Sequence, residues 1–140
     1  MADRDSKSAQ VTIGCNGATA VAVLTAAARS FAGDVGLAPP TAARLAILVE
    51  ELVTNAREHG GVSDADRIEL ALGVEQGAPC LTLRDPGRPF DPRLQATGGP
   101  NPERGGGAGL ELVRNWAEIV DYRRADGWNE LRLRLRLRAA

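Results

Sequence analysis

Lysine is nearly missing from this chain: it occurs once, as Lys7, against sixteen arginines. With no internal Gly-Lys-Ser/Thr there is no P-loop, and with no strand lysine to meet phosphates there is no conventional protein-kinase site. Histidine is limited to His59 and cysteine to Cys15 and Cys80, which argues against a His/Cys zinc centre. The cysteines lie far apart in short apolar stretches and read as reduced core thiols, with a disulfide as the alternative. Net charge is only −1, so no global field favours nucleic acid or an anionic membrane. No apolar run approaches the roughly 18–20 residues of a membrane span. The polar start, MADRDSKSAQ, lacks the hydrophobic segment of a secretory signal, and the cytoplasm is the expected location.

What is present is an ordinary globular composition. The chain has 140 residues, 44% of them hydrophobic and 25% charged, enough to bury one core. Residues 1–9 read as a loose polar leader and 10–140 as a single domain. Val11 and Ile13 predict a short strand ended by a turn over Gly14–Gly17. A small-residue helix follows from Ala18 to about Val35, and Gly36–Pro40 breaks it. Thr41 serves as N-cap or first-turn residue of a second helix, which runs to about His59 and stops at Gly60-Gly61. Its apolar stripe of Leu45, Leu48, Val49, Leu52, Val53 and Ala56 has helical spacing. Glu51 and Asn55 are four apart, stacked about 6 Å from each other along the axis on a face bordering that stripe.

Arg67–Val74 and Pro79–Arg84 predict a hairpin around Glu75-Gln76-Gly77-Ala78. Asp85–Gly109 is a Gly/Pro-rich loop of a length more often functional than idle. A helix over about Leu110–Glu118 and a hairpin of Val120–Arg124 with Glu130–Arg138 complete the order. The expected fold is α+β: two layers, with helices on one face of a mixed, mostly antiparallel sheet.

Three segments carry candidate chemistry. The cluster Gly105-Gly106-Gly107-Ala108-Gly109-Leu110 ends at a helix start, where unpaired N–H groups and the dipole favour an anion. Its glycines let phosphate oxygens approach the backbone. Asn55 offers an uncharged oxygen suited to Mg²⁺, and Glu51, one turn away, could take a proton from an attacking hydroxyl or water. Asp85, at a strand end beside Gly87, could accept a hydrogen bond from an exocyclic amine. Singly, each segment is also what a solvated helix face, a turn and a linker look like. Their order and spacing make together a nucleotide site that needs no lysine.

These segments resemble the three boxes of the GHKL ATPases, whose anti-sigma-factor serine kinases are the most similar branch. The first box is Glu51-Leu-Val-Thr-Asn55-Ala-Arg-Glu-His59-Gly60. The second is Asp85-Pro-Gly87-Arg-Pro-Phe90-Asp91-Pro92, and the third is Gly105–Leu110. The ending from Asp121-Tyr122 through Gly127-Trp-Asn129-Glu-Leu131 is similar too. The resemblance implies the Bergerat ATP-binding fold, with Glu51 as general base and Asn55 on Mg²⁺. It implies that Asp85 meets the adenine amine above the Gly87 turn, that Phe90 lines the site, and that the 105–110 backbone binds phosphates.

Arg104 resembles a lid arginine on the terminal phosphate; an exposed loop arginine is the other reading. His59 either neighbours the nucleotide or serves as a helix C-terminal histidine on the last carbonyls. Relatives carry threonine where Asn129 falls, which implies a polar contact near the base. Pro89 stands where many relatives have a second glycine, and the third box is one residue longer than the shortest family form.

The resemblance implies an ATP-dependent serine kinase that phosphorylates a small STAS-type antagonist and holds a sigma factor. A homodimer is suggested by resemblance alone. The alternatives are a nucleotide-holding module that sequesters its target without efficient transfer, and the detached catalytic domain of a histidine kinase. The alternating run Leu131–Arg138 predicts leucines inward and Arg132, Arg134, Arg136 and Arg138 outward. That outer row is either a solvated sheet face or a basic docking face for an acidic protein. Without interleaved aromatics it does not suit nucleic acid.

Overall fold

A computed structural model describes residues 10–94 and 107–137. The leader, Arg104, Gly105, Gly106 and Arg138 therefore lie outside the described residues. The elements are β1 (Val11–Asn16), α1 (Gly17–Val35), α2 (Pro39–Glu58), β2 (Arg67–Glu75), β3 (Ala78–Asp85), a 3-10 turn (Pro92–Leu94), α3 (Gly107–Trp116), β4 (Ala117–Ala125) and β5 (Trp128–Leu135). The sheet order is β1-β2-β3-β5-β4, and all four ladders are antiparallel. Helices cover one face, as expected for the two-layer α+β class.

The core forms where the periodicities meet. Leu24, Ala28 and Phe31 of α1 and Leu45, Leu48, Val49, Leu52 and Val53 of α2 pack on Ile68, Leu70, Leu72, Leu81, Leu83, Leu131, Leu133 and Leu135 of the sheet. Removal of each leucine from water contributes about 1.5–3 kcal/mol. Two-residue turns with positive φ close both hairpins, at Gln76-Gly77 and Asp126-Gly127, the pattern whose twist matches that of paired strands.

Several boundaries differ from expectation for local reasons. Gly14 is not a turn: it pairs with Glu69 inside the β1–β2 ladder, and a side chain there would meet the Arg67 guanidinium. The strand therefore continues to Asn16, and α1 starts at Gly17, whose N–H donates to Asp66 O at 2.7 Å. Helix α2 begins at Pro39, ahead of Thr41, because a proline in the first turn has no N–H to leave unpaired. Helix α3 starts at Gly107 and ends at Trp116, with β4 following at once. The bulge between Ile119 and Asp121 turns Val120 outward.

The thiols also need correction. Both are free, and Cys15 packs against the core. Cys80, opposite Gly73 and Arg134, lies instead on the sheet face away from the helices, where burial and Glu75 push its thiol up.

Ion pairs run across the outer face of the sheet. Arg132 pairs with Glu75 at 3.5 Å, Arg84 with Glu69 at 2.7 Å and Arg123 with Glu130 at 3.0 Å, while Arg134 sits opposite Glu118. Acidic residues of neighbouring strands thus lie beside Arg132 and Arg134, which favours the reading as a solvated face there. The leucine alternation stops at Leu135, and Leu137 is exposed.

Candidate active site

One end of the sheet opens into a narrow cleft between α2, the ends of β3 and β5, and the turn after β3. Leu52, Leu83 and Leu131 give it apolar walls, while Asn55, Asp85 and Asn129 supply polar groups. This combination suits a flat heterocycle with a few hydrogen-bonding edges.

Asp85 is buried and held from one side. Its Oδ1 accepts the Gly87 N–H at 2.8 Å and the Asn129 amide N–H at 3.1 Å. Its Oδ2 makes no protein hydrogen bond among the described residues. Gly87 is required by contact: a Cβ there would stand 2.6 Å from Gly60 O and 3.0 Å from Asp85 Oδ1. The turn is tied to the end of α2 by the Arg88 N–H on Gly60 O at 2.8 Å and by Arg88 Nη2 on His59 O at 3.0 Å.

Asn55 is 6% exposed, and its Nδ2 has no hydrogen-bond partner among the described residues. A buried amide N–H₂ without a partner costs about 1–3 kcal/mol unless a ligand completes it. The two ends of an amide have the same shape, so a half-turn of the side chain offers oxygen in place of nitrogen. That fits Mg²⁺, which takes few protein ligands and completes its shell with water and phosphate. Among the described residues no three His, Cys, Asp or Glu side chains converge on a common point.

One turn earlier on α2, Glu51 lies against the start of α3: a Cβ on Gly109 would be 2.1 Å from Glu51 Oε1. The base candidate and the third glycine segment are thus in direct apposition. Burial, then the neighbouring Glu50 and Glu58 carboxylates, push the Glu51 carboxyl up from its ordinary value. Asp91 goes the other way, because Arg93 grips it at 2.8 Å and holds it below the usual range. The two carboxyls are thus shifted in opposite directions, Glu51 being the one that holds its proton more readily.

His59 and Phe90 face each other at the cavity edge, their rings nearly parallel (13°) with centroids 6.1 Å apart. Gly107 opens α3, Ala108 follows it, and Gly109 and Leu110 are buried in its first turn. The structure thus gathers Glu51, Asn55, His59, Asp85, Gly87, Phe90, Asn129 and the backbone of Gly107–Leu110 at one end of the sheet.

Sequence reasoning gave no role to Tyr122, Arg88 or Arg124. Tyr122 donates to Asn129 Oδ1 and accepts the Phe90 N–H at 3.2 Å. Arg124 donates to Gly87 O at 2.8 Å and to Asn129 Oδ1 at 2.9 Å. A signal existed for the first, since the chain's one tyrosine must satisfy its hydroxyl wherever its ring packs. None marked the arginines among so many.

Residues 16–135 match the family described as histidine kinase-like ATPase domain. No curated protein matches the chain. Among solved structures, the RsbU and RsbW domains of Rv1364c from Mycobacterium tuberculosis align with a TM-score of 0.62 and 20% identity, over 91% of this chain and 32% of that one. The chain thus spans about a third of that neighbour's length. The SiaB–SiaC complex from Pseudomonas aeruginosa aligns with a TM-score of 0.54 and 16% identity, over 94% and 91% of the two chains. At such identities these structures share the fold. With a family match over most of its length and the family's order of elements, the chain belongs to the histidine kinase-like ATPase domain family.

Proposed function

We propose that this domain binds Mg-ATP and transfers the γ-phosphoryl group to a serine of a small STAS-type antagonist, as the kinase and anti-sigma half of a partner-switching pair. The observation that carries the reading is the buried Asn55 amide, its Nδ2 without a partner among the described residues, set one helical turn from a carboxyl pushed up by burial. The acceptor Asp85 lines the same cavity as Asn55. The partner class is supported by neighbours whose titles name an RsbW domain and a SiaB–SiaC complex. A sigma factor as the held target, a homodimer and a cytoplasmic setting belong to the same proposal. Among the described residues no helix is long and apolar enough to cross a membrane.

The chain's groups divide the work. Asp85 receives the adenine amine on its open oxygen, and the apolar walls exclude water from the base. Asn55 would hold Mg²⁺, which neutralises charge on the phosphates when bound. The amides opening α3 favour the anion. Glu51 takes the serine proton as the Oγ–P bond forms and the bond from γ-phosphorus to the bridging oxygen breaks, releasing ADP. His59 and Phe90 close the cavity edge, and Arg104 is the candidate contact for the terminal phosphate.

Calorimetry with Mg-ATP and a phosphoryl-transfer assay with a candidate antagonist test this together. Asp85→Asn should weaken ATP at least tenfold, since an amide N–H turned toward the base meets its amine donor to donor. Glu51→Gln should leave binding within a few-fold and lower transfer by about 10²–10⁴. Wild-type protein that binds ATP and transfers nothing would leave a sequestering module; wild-type protein that binds none would end the reading.

A further inference from the structure

Asn129 sits at the start of β5, directly opposite Asp85 in the β3–β5 ladder, and is 5% exposed. Its Oδ1 accepts from Arg124 Nη1 at 2.9 Å and from the Tyr122 hydroxyl. A guanidinium donates and never accepts, so the atom facing Arg124 must be the oxygen. The orientation of the amide is thereby fixed, and its N–H₂ is turned toward the β3 turn. There it meets Arg88 O at 2.9 Å, Asp85 Oδ1 at 3.1 Å and Gly87 O at 3.2 Å. Three acceptors share two hydrogens, so no N–H is left over for a base.

That arrangement decides what Asp85 can offer. With the Gly87 and Asn129 N–H groups both on Oδ1, the carboxylate cannot rotate without losing two hydrogen bonds in a buried place. Oδ2, with no protein hydrogen bond among the described residues, is left to accept from a group in the cleft that Asp85 lines. An acceptor matches the 6-amino group of adenine and opposes the 6-oxo group of hypoxanthine or guanine. We infer that Asn129 is a positioning residue that sets nucleotide choice through Asp85 without touching the base, and that Arg124 fixes it in the required orientation. This rests on the nucleotide-binding reading above. It also replaces the contact with the base expected of Asn129 from its sequence position.

Inosine triphosphate is the informative probe, because it differs from ATP mainly at that 6-position. Dissociation constants for Mg-ATP and Mg-ITP would be measured by calorimetry on wild type, Asn129→Asp and Arg124→Met, with thermal unfolding as the control for folding. Wild type should prefer ATP by at least about 10²-fold, the penalty for opposing two buried acceptors. In Asn129→Asp the N–H on Asp85 Oδ1 is lost and two carboxyls crowd one place, which favours protonation of one of them. Asp85 is then free to turn, and its protonated form offers an O–H to the base, so ATP weakens while ITP gains a donor, cutting the preference at least tenfold. Arg124→Met, at an exposed position, removes the guanidinium that fixes the amide and should narrow the preference several-fold even if Asn129→Asp fails to fold. A merely structural role would weaken both nucleotides by the same factor, and an unchanged ATP:ITP ratio in the folded variants overturns the inference. Wild type that binds neither nucleotide overturns the binding reading itself and this inference with it.

Discussion

Gly109→Ala isolates the contact between the base candidate and the opening turn of α3. The added Cβ would lie 2.1 Å from Glu51 Oε1 and 3.0 Å from its Cδ. An ordinary carbon–oxygen contact is roughly 3.2–3.5 Å, so the carboxylate must retreat by about 1 Å. Nothing else is that close: the third-nearest atom is Glu51 Cγ at 3.7 Å. The chain end can move at an off-rotamer cost of about 0.5–1.5 kcal/mol. Alanine in place of glycine in a helix returns about 1 kcal/mol. Folding stability should therefore change by less than about 1 kcal/mol.

Catalysis should change far more, because a misplacement of about 1 Å in a reacting group costs on the order of 10²-fold in rate. The backbone N–H of residue 109 survives the substitution, so ATP affinity should stay within a few-fold. The assay is ADP release during transfer to the antagonist, with the melting temperature measured alongside. A double-mutant cycle makes it sharper: once Glu51→Gln has removed the base, adding Gly109→Ala should cost little more. Full transfer rate in a folded Gly109→Ala protein would refute the placement of Glu51. So would a further hundredfold loss on the Glu51→Gln background.

Two other outcomes follow from the same geometry. Gly87→Ala puts a Cβ 2.6 Å from Gly60 O, a main-chain atom that cannot step aside, so it should destabilise by about 1–3 kcal/mol and weaken ATP as well; an unchanged denaturant midpoint would contradict this. For Glu51, the folded-state carboxyl lies above the ordinary glutamate range, so its contribution to stability is present below that range and is lost as pH rises through the folded value. Glu51→Gln should therefore melt higher than wild type at pH 7 and close to it at pH 4, and an equal difference at both would show that burial of the charge is not the cause.

Much of the architecture was legible because it is written in periodicities. The stripe Leu45–Ala56 and the alternation in Leu131–Leu135 each point one way under helix or strand geometry, and they locate the core directly. Gly14 and Gly17 suggest a turn because glycine in sequence signals conformational freedom. Here they serve proximity instead, leaving room for the Arg67 side chain and for Ser63 O, atoms about fifty residues away. No local pattern encodes that. The site divides the same way. Glu51, Asn55 and Asp85 stand in ordered motifs, but Asp85 is fixed in part by Asn129 on another hairpin, which Tyr122 and Arg124 hold in turn. Their partnership exists only once β5 has paired with β3. Cys80 was placed in the core from apolar neighbours, whereas strand parity put it on the opposite face.

The positions where local rules fail are the ones that identify the site. A buried amide without a partner at Asn55 and a carboxyl at Glu51 kept beside Glu50 and Glu58 are both unfavourable in the free domain. Leucine at 55 or glutamine at 51 would remove much of that cost without disturbing the helix, since both are good helix formers. What these residues share is their edge of α2, bordering the apolar stripe, and α3 approaches that edge closely enough to require a glycine. Strain gathered on one edge of one helix, with the rest of that helix ordinarily packed, has the distribution expected of a ligand site. A folding defect would fall on the packed stripe instead. Binding that supplies Asn55 with a partner should therefore stabilise the domain by more than the contacts to the base alone.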